Sequence, residues 1–434
     1  MAYSFLNINL NKSLLWLIIE KGFKFFTGFL ILLLITRYLG LEEFGKYSFI
    51  VSFVSLFAPF IGLGLDDILI KEFTKKNFPD QTLLNTSFAL KVISFAIIFF
   101  SIIFTSYFLN YDQILTLSIT IYSASLFFNG FNSLESFHLS RDNYHLSVYS
   151  KIISQLVLLL FIVFIVQSNR GLSWIFFSYF IANLFYALFQ FYWYKREFKW
   201  AILCFDFKIA KKLLIMSLPL MVGGLAYIIQ THTDQLMIKY FLGFTSAGIY
   251  SSSVNLIGLT IFIPYIFQKA FLSKIISLKE IKLKFNYVMV ESYRLAIIMS
   301  LIVGIIFFSL SDYIINIFYR VEFKASGGVL ALLSGRFAYF FFGVIRAIYL
   351  IVNGQQGLMM KSLIFSSIIN VILNYILIPI MGINGAILAT YISCVVDLVV
   401  IDLLNKRQNN FKFFLKALFS LGKFNMKSLL KNLQ

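Results

Sequence analysis

The sequence predicts an all-α polytopic membrane protein of about twelve transmembrane helices, and three observations predict it. Hydrophobic residues make up 60% of the 434 and charged residues only 13%, roughly half the ~25% of an ordinary soluble domain. Apolar runs near 20 residues recur along the whole chain, and ~20 helical residues span the ~30 Å of hydrocarbon in a bilayer. Lysines and arginines crowd into alternate connections between those runs, the bias that sets membrane orientation. Lipid leaves no partner for a free backbone amide, so a spanning segment is a helix or part of a closed barrel. These runs are too long and continuous for barrel strands of about ten residues.

In chain order the first six spans run roughly 14–36, 48–65, 84–109, 113–134, 147–166 and 173–194. The second six run roughly 213–240, 247–267, 288–310, 329–352, 359–379 and 384–404. The first carries Glu20, Lys21 and Lys24 and no small-residue cleavage site, so it reads as a retained helix and not a signal peptide. One set of connections holds Lys12, Lys71, Lys75, Lys76, Arg141, Lys151, Lys269, Lys274, Lys279, Lys361 and the basic stretch from Lys195 to Lys212. The opposite set holds only Arg37, Lys46, Arg170, Lys239, Arg320 and Lys324. The positive-inside bias puts both termini in the cytoplasm. Lys91 and Arg294 fall near span ends and read as interfacial anchors. Asp66 and Asp67, beside Lys71 and Glu72, read as a cytoplasmic loop network.

A repeat organises the spans. Leu39-Gly40, Gly45 and Tyr47-Ser48 read L-G-x-x-x-x-G-x-Y-S, and Leu242-Gly243, Gly248 and Tyr250-Ser251 read it again. Each copy sits between two apolar stretches, so the surrounding bundle is doubled too. The expected lobes are residues 1–200 and 201–406, followed by a basic amphipathic cytoplasmic tail, 407–434. Six spans per lobe is an even number, so the repeats enter the membrane in the same sense, around a central cavity. Pro59, Pro219, Gly223, Gly224 and Pro264 lie within spans and are hinge candidates, because proline removes a helical hydrogen bond. In the tail, Phe411, Phe414, Leu415 and Leu418 share a helical face beside Lys412, Lys416 and Lys423. That pattern suits a helix lying on anionic lipids, or a frayed basic tail that only sets orientation.

Ionisable groups at membrane depth are costly and face a cavity or a partner. Lys24, near the middle of the first span, and Arg336 and Arg346, within the tenth, are the substrate-binding candidates, with Lys21 beside them. Such cations suit an anion, above all a phosphate or diphosphate. Glu20, Glu135, Asp234 and Asp397 also lie at depth and are candidates for coupling transport to a proton or sodium. The competing reading for each is a structural ion pair.

Other chemistry is excluded. The net charge of +18 would suggest nucleic acid in a soluble protein, but here the basic residues flank spans and serve topology. Cys204 and Cys394 offer no disulfide framework, and His138, His145 and His232 sit on separate segments. Neither a phosphate-cradling glycine loop nor a metal-ligand spacing occurs, so no enzyme, metal or cofactor is expected beyond a coupling ion. The 53 phenylalanines accompany abundant Ile, Asn and Lys, as AT-rich coding sequence gives.

Thr36-Arg37-Tyr38-Leu39-Gly40 with Phe44-Gly45-x-Tyr47-Ser48 resembles the first turn of bacterial polysaccharide flippases, the O-antigen and capsule repeat-unit translocases of the multidrug/oligosaccharidyl-lipid/polysaccharide exporter (MOP) superfamily. Gly62-Leu63-Gly64-Leu65-Asp66, Asp234-Gln235 and Asn374-Tyr375-Ile376-Leu377-Ile378-Pro379 continue the resemblance. It implies an inner-membrane flippase moving undecaprenyl-diphosphate-linked oligosaccharide from the inner to the outer leaflet by alternating access. Partners it implies are a polysaccharide polymerase and a chain-length regulator. The family's motifs are turns and assign no cavity role to Lys24 or Arg336. A multidrug exporter of organic cations is the alternative, and a membrane polysaccharide polymerase a more distant one.

Overall fold

A computed structural model describes residues 12–197, 205–404, 410–426 and 428–429. Cys204, Lys199 and residues 406–409 lie outside the described residues. The described residues are helical with short turns, and ten segments are long and apolar enough to cross a membrane. Two of the ten, Ile18–Lys75 and Phe207–Pro264, are 58 residues each, far beyond the ~20 that one crossing needs. Gly40, at φ 72°, and Gly243, at φ 85°, break them. Counting each as two crossings brings ten to the twelve expected from the sequence. Both breaks fall on the first glycine of the repeated phrase, where a left-handed backbone favours a residue without Cβ.

The chain forms two compact units. One comprises Met1–Leu39 and Phe49–Leu225; the other comprises Gly40–Ser48 and Ala226–Gln434. In the first, Leu65, Leu69, Phe73, Leu83 and Phe137 pack with Tyr194, Ile209 and Leu213 in a buried apolar core. So the start of the Phe207–Thr260 helix belongs with this unit.

In the second unit the two copies of the phrase meet. A Cβ on Gly45 would collide with the Phe244 carbonyl and come 3.2 Å from the Gly248 nitrogen. A Cβ on Gly248 would collide with the Leu41 carbonyl and come 3.4 Å from the Gly45 nitrogen. The contact is reciprocal, as a two-fold relation between equivalent segments requires. The second glycine of each copy is therefore fixed by backbone-to-backbone approach. Glu322 adds a cap: its carboxylate accepts a hydrogen bond from the Leu41 amide at 3.3 Å, just past the Gly40 break. That amide opens a helical segment and has no partner within it.

Several spans are interrupted where the sequence showed only apolar runs. The fourth passes from Gln113–Ser125 through a 3₁₀ turn, Leu126–Phe131, into Asn132–Ser140. The tenth stops at Leu333 and restarts at Arg336, and the Tyr391 hydroxyl donates to the Leu332 carbonyl left free at the gap. The twelfth carries a π-helical turn, Val396–Val400. Such irregularities are tolerated at membrane depth only where other groups satisfy the freed backbone, and they gather at functional sites.

The hinge candidates have distinct settings. Pro59 opens the short helix Ala58–Gly62 instead of kinking a long one, a position where its missing N–H costs nothing. Its Cβ is 3.9 Å from where a Cβ on Gly224 would stand. Gly64, at φ 63°, lies against the backbone of Ser217 and Met221, flanking Pro219. Prolines and glycines from the second and seventh spans therefore converge within the first unit. Pro264 sits in the first turn of Phe262–Ser277, after a one-residue break at Ile261, and Gly223 lies within the Phe207–Thr260 helix.

The tail packs on protein. Asn410–Leu418 is a helix; Phe414 packs edge-on to Tyr293 and tilted against Phe342, and Phe413 packs edge-on to Tyr349. Arg294 is buried, pairs with Glu291 and donates to Ser420 of the tail. It therefore anchors the tail and does not mark a lipid interface, as its position near a span end had suggested.

Gly45→Ala and Gly248→Ala should each lower stability by about 1–3 kcal/mol through overpacking, read as a fall in detergent melting temperature. Gly28→Ala, with open space around it, should not.

Candidate functional site

The first unit encloses a polar cavity of about 490 Å³. The first span contributes Glu20, Lys21 and Lys24; the second, Asp66 and Asp67; the fourth, Asn129, Asn132 and Glu135; the fifth, Lys151 and Gln155; the sixth, Asn183 and Tyr186. Three sequence candidates, Lys24, Lys21 and Glu135, share one cavity with Glu20, the fourth. Helical spacing explains the first span's contribution: residues three and four apart lie on one face.

These charges form a network that leaves the Lys24 amine and the Asp67 carboxylate without an ion pair among the described residues. Glu135 accepts from Ser147 at 2.7 Å and Tyr186 at 2.5 Å, and pairs with Lys151 at 2.5 Å. Glu20 lies 3.4 Å from Lys151 and 3.5 Å from Lys21. Asp66 pairs at 2.6 Å with Lys91, which is fully buried. Lys91 is thus a core counter-ion and not the interfacial anchor expected, and Asp66 and Asp67 belong to the cavity instead of a loop network. Lys24 has no carboxylate within ion-pairing distance among the described residues. The lining is mixed in sign. Its amides and carboxylates can meet hydroxyl groups, while Lys24 offers an uncommitted positive charge.

The second unit separates its two arginines. Arg346 is buried and committed: it donates to Asp402 at 2.9 Å and 3.1 Å and to Ser362 at 3.2 Å, and lies 3.5 Å from Asp397. Asp397, presented by the π turn, also accepts from Ser362 at 2.6 Å and Tyr339 at 2.9 Å. Asp402 reaches the tail, accepting from Asn410 at 2.7 Å. Arg336 is equally buried, but among the described residues it has no carboxylate within ion-pairing distance, and its Nε lacks a hydrogen-bond partner. Its guanidinium lies over the Phe340 ring at 5.7 Å, just past the gap in the tenth span.

Asp234 is a buried carboxylate that lacks a cation among the described residues, as does Glu72, whose partner is Asn77. Tyr250 donates to Asp234 at 2.7 Å, Thr390 at 2.6 Å and Asn374 at 2.6 Å. No lysine or arginine lies within ion-pairing distance among the described residues. Asn374 Oδ1 is buried without a partner, and Asn374 Nδ2 also reaches Asn370 Oδ1 at 3.1 Å. Asn370 and Asn374 are one helical turn apart. Sequence reasoning found Asp234 and missed its neutral partners, since asparagines and threonines in an apolar span carry no charge signal. It missed Lys151 for a different reason: its position at the start of a span read as topology.

A helical membrane protein with a polar cavity is the class that this fold and these sites define. The family model for polysaccharide biosynthesis proteins matches residues 10–272, and the chain belongs to that family, as the turn motifs implied. Among solved structures, it is similar to an inward-facing multidrug resistance MATE family transporter of the MOP superfamily, with a TM-score of 0.70 at 14% identity, covering 94% of this chain and 96% of that one. It is similar to the lipid II flippase MurJ in an inward closed conformation, with a TM-score of 0.70 at 17% identity over 95% and 94%. A MOP superfamily transporter from Pyrococcus furiosus, described as having a binding pocket of reversed polarity, matches with a TM-score of 0.61 at 14% identity over 95% and 96%. These likenesses establish a multi-pass helical fold shared with those proteins. No curated protein matches the sequence.

Arg346→Ala should cost about 3–5 kcal/mol by stranding two buried carboxylates, and the protein should lose its cooperative melt or much of its yield. Arg336→Gln, which strands no carboxylate, should melt close to the parent.

Proposed function

We propose that this protein is a flippase for lipid-linked oligosaccharide, moving sugar units on an undecaprenyl diphosphate carrier from the inner to the outer leaflet of the bacterial inner membrane, with both termini cytoplasmic. The observation that carries this reading is the uncommitted amine of Lys24 in a cavity lined also by amides, paired charges and the exposed carboxylate of Asp67. A diphosphate supplies the missing negative charge, and the amides and carboxylates suit sugar hydroxyls. Arg336, buried without a carboxylate, is the second candidate cation, and Lys21 a peripheral one because Glu20 engages it. Membership of the polysaccharide biosynthesis family favours this cargo. An organic cation would find Lys24 repulsive, which argues against the multidrug alternative. Arg346 is set aside as a substrate ligand, since Asp397 and Asp402 hold it, and Asp397 is set aside as a coupling residue for the same reason.

Asp234 is the coupling candidate retained. Its carboxylate, with the hydroxyl oxygens of Thr390 and Tyr250 around it, fits a proton or a sodium ion, because hard cations favour oxygen ligands. Binding there can drive transport only by favouring one conformation over another. The lobes expected from the repeat would alternate access to the cavity, with a polymerase and chain-length regulator acting downstream.

Lys24→Gln should abolish export of the lipid-linked repeat unit while the protein still inserts in the membrane, and Lys24→Arg should restore part of it. Undiminished export by both Lys24→Gln and Arg336→Gln would reject the anion site. Asp234→Asn should leave substrate binding intact and remove the dependence of export on the proton or sodium gradient. Gradient dependence that survives the change would move the coupling site elsewhere.

A further inference from the structure

We propose that Lys151 is a second ligand for the anionic group of the cargo, and that Glu20 is a built-in competitor occupying it until a diphosphate arrives. The inference rests on the flippase reading above, and adds a residue and a selection device to it.

Lys151 lines the same cavity as Lys24. Its two carboxylates are held very differently. Glu135 is fixed: Ser147 and Tyr186 donate to it as well, and its contact with Lys151 is 2.5 Å. Glu20 is loose: it stands 3.4 Å from Lys151, and its other partner is the neighbouring Lys21 at 3.5 Å. Lys21 is half-exposed, with a side-chain exposure of 46% against 6% for Glu20. An ammonium has three donors, so Lys151 can keep Glu135 and exchange Glu20 for another anion. Glu20 then has a place to go, because Lys21 remains beside it on the same helix.

Charge decides which ligands can force this exchange. A neutral glycolipid has nothing to offer Lys151 in place of Glu20. A monophosphate offers less charge than a diphosphate, which can engage Lys24 and Lys151 together. The paired carboxylate therefore raises the threshold for binding and favours diphosphate carriers. This is specificity by an internal competitor, the repulsive half of discrimination.

The test uses full-length protein purified in detergent, titrated with farnesyl diphosphate and farnesyl monophosphate, with melting curves taken for each variant. Glu20→Gln should bind farnesyl diphosphate about tenfold more tightly and discriminate less against the monophosphate. Lys151→Gln should bind the diphosphate about tenfold more weakly, the scale of one charge-assisted hydrogen bond. The double variant should match Lys151→Gln, since Glu20 has no competitor's role once the amine is gone. Unchanged or weakened binding by Glu20→Gln overturns the proposal, as does unchanged binding by a folded Lys151→Gln. If Lys151→Gln does not fold, the Glu20→Gln result decides alone. Lys24→Gln separates the two levels. If it loses binding while Glu20→Gln and Lys151→Gln match the parent, only this inference fails. If the parent itself binds neither probe, the diphosphate reading fails with it.

Discussion

Charged side chains inside a lipid-embedded helical bundle must find a counter-charge or a wet cavity, because the alternative is several kcal/mol of desolvation. This chain meets that constraint unevenly. Lys91 has Asp66, Lys151 has Glu135 and Glu20, Arg346 has Asp402 and Asp397, and Arg294 has Glu291. Lys24, Arg336 and Asp234 are among those left without an ion-pair partner in the described residues, as are Glu72, which Asn77 holds, and Asp67, which lines the cavity. The first group holds helices together, apart from Arg294–Glu291, which lies within one helix, and its members are expensive to break. Lys24, Arg336 and Asp234 are positioned to act on something that arrives.

The irregular helices serve the same division. The π turn aims Asp397 at Ser362, Tyr339 and Arg346. The gap before Arg336 places a buried guanidinium at the start of a half-helix, with Tyr391 satisfying a freed carbonyl. The 3₁₀ turn in the fourth span presents Asn129 to the cavity, and Asn132 and Glu135 follow directly after it. Backbone defects cost energy in a membrane, and here each lies beside a polar side chain that a regular helix would turn differently.

Much of the architecture was legible in the sequence because length and hydropathy dictate it. Apolar runs near 20 residues gave the spans, and the repeated L-G-x-x-x-x-G-x-Y-S phrase marked the two breaks at Gly40 and Gly243. The reciprocal packing of Gly45 and Gly248 was not legible, since spacing shows that a glycine recurs but not what approaches it. Depth alone also could not sort the arginines. Arg336 and Arg346 look alike as charges in one apolar run, and only the neighbouring span's carboxylates distinguish them. Lys151 sits where a topological lysine belongs and reaches inward all the same. Of the tail's apolar stripe, Phe414 lies against Tyr293 and Phe342, contacts that spacing in the tail does not show.

The most direct measurement reconstitutes the purified protein in liposomes carrying a fluorescent polyprenyl-diphosphate sugar in one leaflet, and follows quenching from the other side over time. Translocation that stops when Lys24 loses its charge is the expected result. Translocation indifferent to Lys24, or uptake of organic cations in its place, would contradict the assignment of an anionic cargo to this cavity.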